Sequence, residues 1–498
     1  MTKLSSALPN ATVILDPKSD VALHAQLYEQ LRGAILAGDL ESGTRLPSTR
    51  ELARELGVAR NTVLNAFEQL GLEGYLDGHV GNGTYVSTQV PDDLFRVERG
   101  SHLRRGRSPM LSARGRQIEL ASVSASFYDG KPRPFRTSVP ALDAFPYDLW
   151  SRLTSRRWRQ SARDLMTYGD PAGYRPLRET IARYLSTARG VRCQPDNVVL
   201  THGSLQAIEL AARVLLDPGD AVFLEDPGFL GARAAFACAD ARIVPVPIDD
   251  EGLNVDAAPR RIHARLAYVT PSHQYPLGAT LSLRRRLALL QWARKSGAWI
   301  LEDDYDSEFR YTGKPLPSLQ GMDADERVIY VGTFSKVLFP AIRVGYVVAP
   351  RALVPAFIAA RSLGGHAAGA LDYAVLADFI AGGFFARHLR RMRMIYATRQ
   401  RALLSAARSE LSEILDLRAS DAGMHLIGWL REDVDDQQAA DAAARQGVEV
   451  TPLSAYALQR PKRGALRLGY TGYTPKQIWE GVRRLGVSLS PVTGRGPG

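Results

Sequence analysis

The chain is 498 residues long, which excludes a single ordinary domain at roughly 100–200 residues each, and its 45% hydrophobic and 23% charged residues exclude a disordered or fibrous chain. No stretch reaches the roughly 18 consecutive apolar residues of a membrane span and the opening MTKLSSALPNATVILDP holds no secretion-signal core; the two cysteines, Cys193 and Cys238, are too few for a disulfide framework, so a soluble, cytoplasmic protein is expected. The net charge of +11 admits an anionic partner, but residues 1–90 hold 7 Lys and Arg against 10 Asp and Glu, so charge alone does not locate one.

The first periodic segment, LHAQLYEQLRGAILAG at 23–38, sets Leu23, Leu27, Leu31 and Ile35 at helical spacing, and Gly38 ends it. LPSTRELARELGVARNTVLNAFEQLGLEGYL follows. Ser48 and Glu51 make an S-x-x-E capping box that opens a short helix, with Leu52 and Leu56 on one face. Gly57 supplies a turn, and the next helix buries Val63, Phe67 and Leu70. That is a helix-turn-helix pattern, whose second helix offers Arg60, Asn61 and Thr62 to a major groove. GYLDGHVGNGTYV then reads as two short strands around a glycine-rich wing.

This run is similar to the winged helix of the GntR family of bacterial repressors. The resemblance implies operator DNA as a partner, with Arg45, Ser48, Arg50, Arg60 and Thr62 at phosphates and base edges and the wing around Gly83 along the minor groove. Ala59 departs from the family, which usually has serine there, and so loses a cap contribution of roughly 0.5–2 kcal/mol.

Near Gln89 the composition changes to PDDLFRVERGSHLRRGRSPMLSARGRQ. Residues 99–118 hold six arginines (Arg99, Arg104, Arg105, Arg107, Arg114, Arg116) and no carboxylate. A mobile basic linker over 89–117 is expected, acting as a solvated tether or as a contact to DNA phosphates.

From about Ile118 apolar strands alternate with amphipathic helices. Strands are predicted at 198–200, 221–226, 266–270, 299–304 and 328–333, with helices such as 204–216 and 284–297 between them. Alternation of this kind predicts an α/β domain with a mainly parallel sheet. The tail PVTGRGPG is expected to lack structure.

The run VIYVGTFSKVLFPAIRVGYVVAP places Thr333, Ser335 and Lys336 just after a strand, with Arg343 close behind. A lysine amine forms a Schiff base with an aldehyde, and hydroxyls with an arginine hold a phosphate dianion. The run resembles the cofactor-lysine region of fold-type I pyridoxal-phosphate enzymes, which implies pyridoxal 5′-phosphate as cofactor and Lys336 as its Schiff-base residue. On the same resemblance Asp303, in EDDYDSEF, is the carboxylate that keeps the pyridine nitrogen protonated, with Asp304 its rival, and Tyr305 is the phenol on the ring hydroxyl. Gly203, Ser204 and Leu205 stand at a strand-to-helix turn whose amides suit a phosphate. Phe229, in EDPGF, is placed as the aromatic on the pyridine ring, or else is simple core packing. Tyr168, in YGDPAGYRPLRETIARYL, implies a contact to the neighbouring subunit's cofactor and hence a homodimer. Arg467, in LRLGY, is placed to grip the carboxylate of an amino compound, the alternative being a structural surface arginine. His273 and Gln274, in TPSHQYPLG, are expected to support the site from behind.

A winged helix-turn-helix head over 15–88, a basic linker over 89–117 and an aminotransferase-like domain over 118–488 together resemble the MocR/GabR group of bacterial transcription regulators. One departure from working aminotransferases is Tyr275, where those usually have an asparagine bonding the cofactor ring oxygen. The resemblance implies a transcription regulator whose aminotransferase-like domain senses an amino compound, or pyridoxal phosphate itself, through aldimine chemistry, and the Tyr275 departure leads us to expect residual aminotransferase activity at most and no physiological turnover. A functional aminotransferase with an accessory DNA-binding head is the alternative. Neither a metal nor a membrane partner is expected.

Overall fold

Two units divide the chain, Met1–Met110 and Leu111–Gly498, each with its own apolar core. The computed structural model describes residues 3–5, 8, 13–79, 83–88, 111–121, 133–313, 317–364 and 369–490. Arg99, Arg104, Arg105 and Arg107 of the expected linker, and the tail from 491, lie outside these residues.

In the first unit β1 (Lys3–Ser5) and β2 (Val13–Leu15) pair antiparallel, and α1 (Leu23–Ala37) follows. Its apolar stripe is buried at Leu27, Leu31 and Ile35, and Gly38 closes it with φ 82°, a left-handed conformation that glycine adopts without strain. After β3 (Arg45–Leu46), α2 (Thr49–Leu56) starts at Ser48, whose Oγ accepts from Glu51 N at 3.2 Å. Gly57, at φ 58°, turns the chain into α3 (Arg60–Leu72). Leu52, Leu56, Val63, Phe67 and Leu70 meet α1 in one core. The wing strands β4 (Leu76–His79) and β5 (Gly83–Val86) complete a three-stranded antiparallel sheet with β3, in the order β3-β5-β4.

The tether expected through residue 117 gives way to helix α4 (Ala113–Ala121). Ser112 Oγ accepts from Gly115 N at 2.9 Å, and Arg116 donates to the Leu111 carbonyl at 2.8 Å. Composition hid this helix because its support comes from a local cap and from packing against a helix far along the chain (α8, below).

Helices α5 (Tyr147–Leu165) and α6 (Arg175–Arg189) precede the main sheet. Its strands and the helices between them run β6 (Val198–Thr201), α7 (Ser204–Leu215), β7 (Ala221–Asp226), α8 (Leu230–Cys238), β8 (Arg242–Asp249), β9 (Gly252–Leu253), β10 (Ala264–Val269), α9 (Leu283–Ser296), β11 (Trp299–Asp304), α10 (Leu319–Met322), β12 (Val328–Thr333) and β13 (Gly345–Val348). The spatial order is β6-β13-β12-β11-β10-β7-β8-β9. Strands β8, β7, β10, β11 and β12 are parallel, and only β13 and the short β9 run against them. β6 pairs antiparallel with β13 and so points the same way as the parallel set. The central strands are mostly apolar on both faces because helices cover both faces, and their buried carboxylates gather toward the C-terminal ends of β7 and β11.

The rest of the chain forms α11 (Val354–Leu363), α12 (Ala370–Ala381), α13 (Phe384–Glu410), β14 (Leu415–Leu417), β15 (His425–Leu430), α14 (Asp436–Arg445), β16 (Thr451–Pro452), β17 (Ala465–Gly469) and α15 (Pro475–Leu489). Its four strands make a second, antiparallel sheet, β14-β15-β17-β16. Among the described residues no helix is long and apolar enough to cross a membrane.

Candidate functional site

Because β6, β7, β10, β11 and β12 point the same way, the residues just after them share one edge of the sheet, where open α/β folds place their ligands. A cavity of about 210 Å³ opens there. It is lined by Gly203 to Leu205 after β6, Phe229 after β7, Asp303 and Tyr305 on β11 and its exit, and Thr333, Ser335 and Lys336 after β12, with Arg343 before β13. Three lining residues are not evident from the sequence motifs, Ser138, Tyr268 and Thr270, and Tyr275 lines the cavity as well. Tyr268 left a signal, since a phenol inside a wholly buried strand needs a hydrogen-bond partner.

At one end of the cavity Gly203 precedes α7 with φ 87°, and no side chain caps that helix. Arg343 has a left-handed backbone, φ 48°, and its guanidinium carbon lies 3.7 Å from where a Cβ on Gly203 would stand. A side chain in that backbone region is strained, which is tolerated where the position is used. The guanidinium, the α7 N-terminus and the hydroxyls of Ser335 and Thr333 meet at this end of the cavity, a set of donors that suits a dianion.

The middle of the cavity carries Asp303. Tyr268 donates to its Oδ2 at 2.7 Å, while Oδ1 is buried with no partner. Burial pushes this carboxyl up to about 7, against the opposing Tyr268 hydrogen bond. A buried acceptor without a donor fits a ring N–H. Asp304 points to the opposite face of β11, where Arg189 Nε (2.8 Å), Tyr330 Oη (2.6 Å) and Ser307 Oγ (2.9 Å) all reach its Oδ2. Strand alternation thus separates two adjacent aspartates by role.

Lys336 is half-buried among these groups; burial, followed by the Arg467 charge, pushes its ammonium down to about 8 against the pull of Asp306 and Asp303. Burial, and next the Asp306 carboxylate, hold the Tyr305 phenol well above its ordinary value. Phe229 is both wall and packing: it lines the cavity, sits against the core around α7 and α8, and meets Tyr275 edge-on at 5.3 Å. A Cβ on Gly231 would lie 2.5 Å from the Phe229 ring, so glycine makes room for it.

Arg467, on β17, is buried rather than a surface residue. Its guanidinium lies over the rings of Tyr275 (4.6 Å) and Tyr456 (4.9 Å), Nη2 donates to Thr137, and Nε and Nη1 are buried without partners. Gln274 braces the loop, donating to Glu225 at 3.2 Å and to the Pro227 carbonyl at 3.0 Å. Tyr168 is 84% exposed and is not part of the cavity of its own chain.

In the head, Arg45, Ser48, Arg50, Arg60, Asn61 and Gly83 are exposed and Thr62 is half-buried. The Arg45 Nε lies 3.0 Å from where a Cβ on Gly83 would stand, so the side chain lies against the wing. Arg60 Nε donates to Thr49 Oγ1 at 3.3 Å, linking the starts of α2 and α3. No side chain caps α3 at Ala59. Among the described residues no group of His, Cys, Asp and Glu could hold a metal ion.

Residues 23–86 match the family of bacterial regulatory proteins, gntR family, and residues 142–485 match aminotransferase class I and II. Over 95% of both chains the protein is 42% identical to the probable rhizopine catabolism regulatory protein MocR of Rhizobium meliloti. It is 32% identical to the HTH-type pyridoxine biosynthesis transcriptional regulator PdxR of Corynebacterium glutamicum, over 90% of this chain and 92% of that one. Among solved structures it is similar to LysN, the α-aminoadipate aminotransferase of Thermus thermophilus complexed with N-(5′-phosphopyridoxyl)-L-leucine; the TM-score is 0.71 at 29% identity, covering 76% of this chain and 98% of that one. The cofactor of this fold is pyridoxal phosphate, and the unpaired Asp303 Oδ1 and the donor set around Arg343 fit it. The chain therefore belongs to the MocR-type regulators of the GntR family, in which a DNA-binding winged helix is joined to a pyridoxal-phosphate domain of aminotransferase fold.

Proposed function

We propose that the aminotransferase-like domain is a sensor: a carboxylate-bearing amino compound, or the cofactor itself, changes the affinity of the head for operator DNA. Arg467 carries the reading. Its buried guanidinium lies against Tyr275, which lines the cavity, with Nε and Nη1 lacking acceptors, and an anionic group such as a carboxylate would satisfy a donor that the protein leaves open. Pyridoxal phosphate supplies an aldehyde that joins to amines and a ring that draws electrons toward its protonated nitrogen. Lys336 would supply the resident amine, Asp303 would accept from the ring nitrogen, Tyr305 would face the ring oxygen and Phe229 would cover the ring. Arg343, Ser335, Thr333 and the turn Gly203–Ser204–Leu205 would hold the phosphate, and Tyr168 would reach the cofactor of a second copy. An effector amine that takes the place of Lys336 leaves that lysine free and gives Arg467 a counterion, which favours one conformation of the domain over another.

At the operator Arg60, Asn61 and Thr62 would enter the major groove, Arg45, Ser48 and Arg50 would hold phosphates, and the wing at Gly83 would follow the minor groove. The competing reading, a working aminotransferase with an accessory head, draws on the full set of cofactor-site residues, but a groove-reading helix has no place in metabolic transamination.

The test measures binding of a duplex from the DNA flanking the gene, with and without each of a panel of amino acids and amines. Coupling between sites is typically about 1–3 kcal/mol, roughly 5- to 150-fold, and must be reciprocal. Lys336→Ala and Arg467→Ala should bind the duplex and lose the response. Arg60→Ala should keep the effector's spectral change and bind the duplex about 1–3 kcal/mol more weakly. Equal effector affinity with and without DNA, together with rapid turnover of amino acid and 2-oxo acid, would establish the enzyme reading instead.

A further inference from the structure

His273 lies in the loop after β10 and is buried, and its ring has little freedom. A Cβ on Gly278 would stand 2.9 Å from its Nε2 and one on Gly423 2.0 Å from its Cε1, while the His425 ring lies 5.4 Å away. Gly423 is itself tied down: its N–H donates to the Phe309 carbonyl at 2.9 Å, and its carbonyl accepts from the hydroxyls of Tyr311 (2.5 Å) and Tyr470 (2.7 Å). So held, His273 Nδ1 is 3.0 Å from Asp306 Oδ2 and 3.0 Å from Tyr305 Oη.

An ionised carboxylate only accepts hydrogen bonds, so the buried Asp306 requires a hydrogen on Nδ1, in the neutral ring and the imidazolium alike. A protonated Nδ1 offers Tyr305 no lone pair. The tyrosine oxygen can at most share that hydrogen with Asp306, so the Tyr305 proton is not given to His273 and is left for an acceptor in the cavity it lines.

We infer that Asp306 and His273 set the direction of the Tyr305 hydroxyl and turn its proton into the cofactor cavity, which makes His273 a positioning residue for the cofactor's ring oxygen. The inference rests on the proposal that Tyr305 faces that oxygen. The charged and titratable groups around the pair are Asp303, Asp306, Lys336, Tyr275, Arg467 and His425.

The test is a pH titration of the visible absorbance of the cofactor-loaded protein, with cofactor affinity measured alongside. A donated hydrogen bond favours an anionic ring oxygen and so lowers the pH at which the bound cofactor gives up its proton. His273→Ala frees Tyr305 to turn, and should raise the midpoint by about one pH unit and weaken cofactor binding several-fold. His273→Asn, which can place an amide N–H near the Nδ1 position, should restore most of both. Tyr305→Phe should raise the midpoint, and adding His273→Ala to it should raise it no further. If His273→Ala does not fold, Asp306→Asn replaces it and the sign decides. Loss of the Asp306 charge alone would lower the midpoint, since that charge favours the protonated Lys336, whereas release of His273 to accept from Tyr305 would raise it. An unchanged or lowered midpoint, with cofactor still fixed to Lys336 by borohydride, would overturn the inference. Cofactor fixed equally well in Lys336→Ala would overturn the underlying placement instead.

Discussion

Burial sets Lys336 apart from an ordinary lysine. With its ammonium pushed from 10.5 down to about 8, roughly a quarter of it is neutral amine at pH 7.5, against about one part in a thousand for an unperturbed lysine. Only the neutral amine attacks an aldehyde. Uptake of pyridoxal phosphate by cofactor-free protein, followed by stopped-flow absorbance, should therefore speed up as pH rises to about 8 and level off above it. A rate still climbing at pH 10 would point to an unburied lysine. The shift also acts on stability. Between about 8 and 10.5 the unfolded chain keeps a proton on this lysine that the folded chain has lost, so cofactor-free protein gains stability as pH rises through that window. Asp303 makes a second residue-scale prediction. Asp303→Asn keeps the shape but exchanges a charged acceptor for a neutral one, and should weaken cofactor binding by about 1.5–3 kcal/mol, measured by equilibrium titration. An effect as large from Asp304→Asn on affinity alone, with stability unchanged, would contradict the roles given to the two carboxylates.

At the scale of elements, the head shows how a cap divides labour. α2 has a side-chain cap in Ser48, whereas α3, the helix proposed to enter the major groove, begins at Ala59 without one. Ala59→Ser should stabilise the head by about 1 kcal/mol and Ser48→Ala should cost about as much, both read from thermal or urea unfolding of the full chain. If operator DNA supplies the missing partner through a phosphate at the α3 N-terminus, the gain from Ala59→Ser should shrink when the duplex is bound. β11 teaches a related lesson in the large unit. Its period of two, more than the chemistry of its side chains, turns Asp303 toward the cavity and Asp304 into a buried pair with Arg189.

At the scale of the whole molecule, the position of Tyr168 bears on assembly. It stands exposed before α6 and does not line its own chain's cavity, and the cofactor contact proposed for it is to that of a second copy. Sedimentation equilibrium of the cofactor-loaded protein should therefore give a homodimer at micromolar concentration. Tyr168→Ala should lower cofactor affinity without dissociating it. A dimer also offers two heads to two half-sites, so a duplex carrying one half-site should bind more weakly than one carrying two. A stable monomer with full cofactor affinity would remove Tyr168 from the site.

Much of this protein is local and was therefore legible along the chain. The apolar period of α1, the Ser48 cap and the Gly57 turn predict the helix-turn-helix. The five buried strands announce themselves as short apolar runs between amphipathic helices, and the runs around Gly203, Phe229, Asp303 and Lys336 lie at strand ends because the sheet collects its ligand-binding residues there. What stayed hidden depends on contacts between distant segments. Helix α4 looked like tether because its packing partner lies more than a hundred residues away. The antiparallel sheet of β14 to β17 depends on pairings between separate stretches of chain, such as His425–Leu430 with Ala465–Gly469, which no local pattern records. Asp303 and Asp304 could be ranked from sequence, but only the sheet's register decided which faces the cavity. Arg467 was a plausible carboxylate ligand on its motif; its burial between Tyr275 and Tyr456, with two nitrogens unpaired, is a product of folding alone. The same holds for His273, whose role depends on Asp306, Tyr305 and two glycines that converge from three stretches of chain, since hydrogen-bond direction is set by neighbours in space and sequence records only neighbours along the backbone.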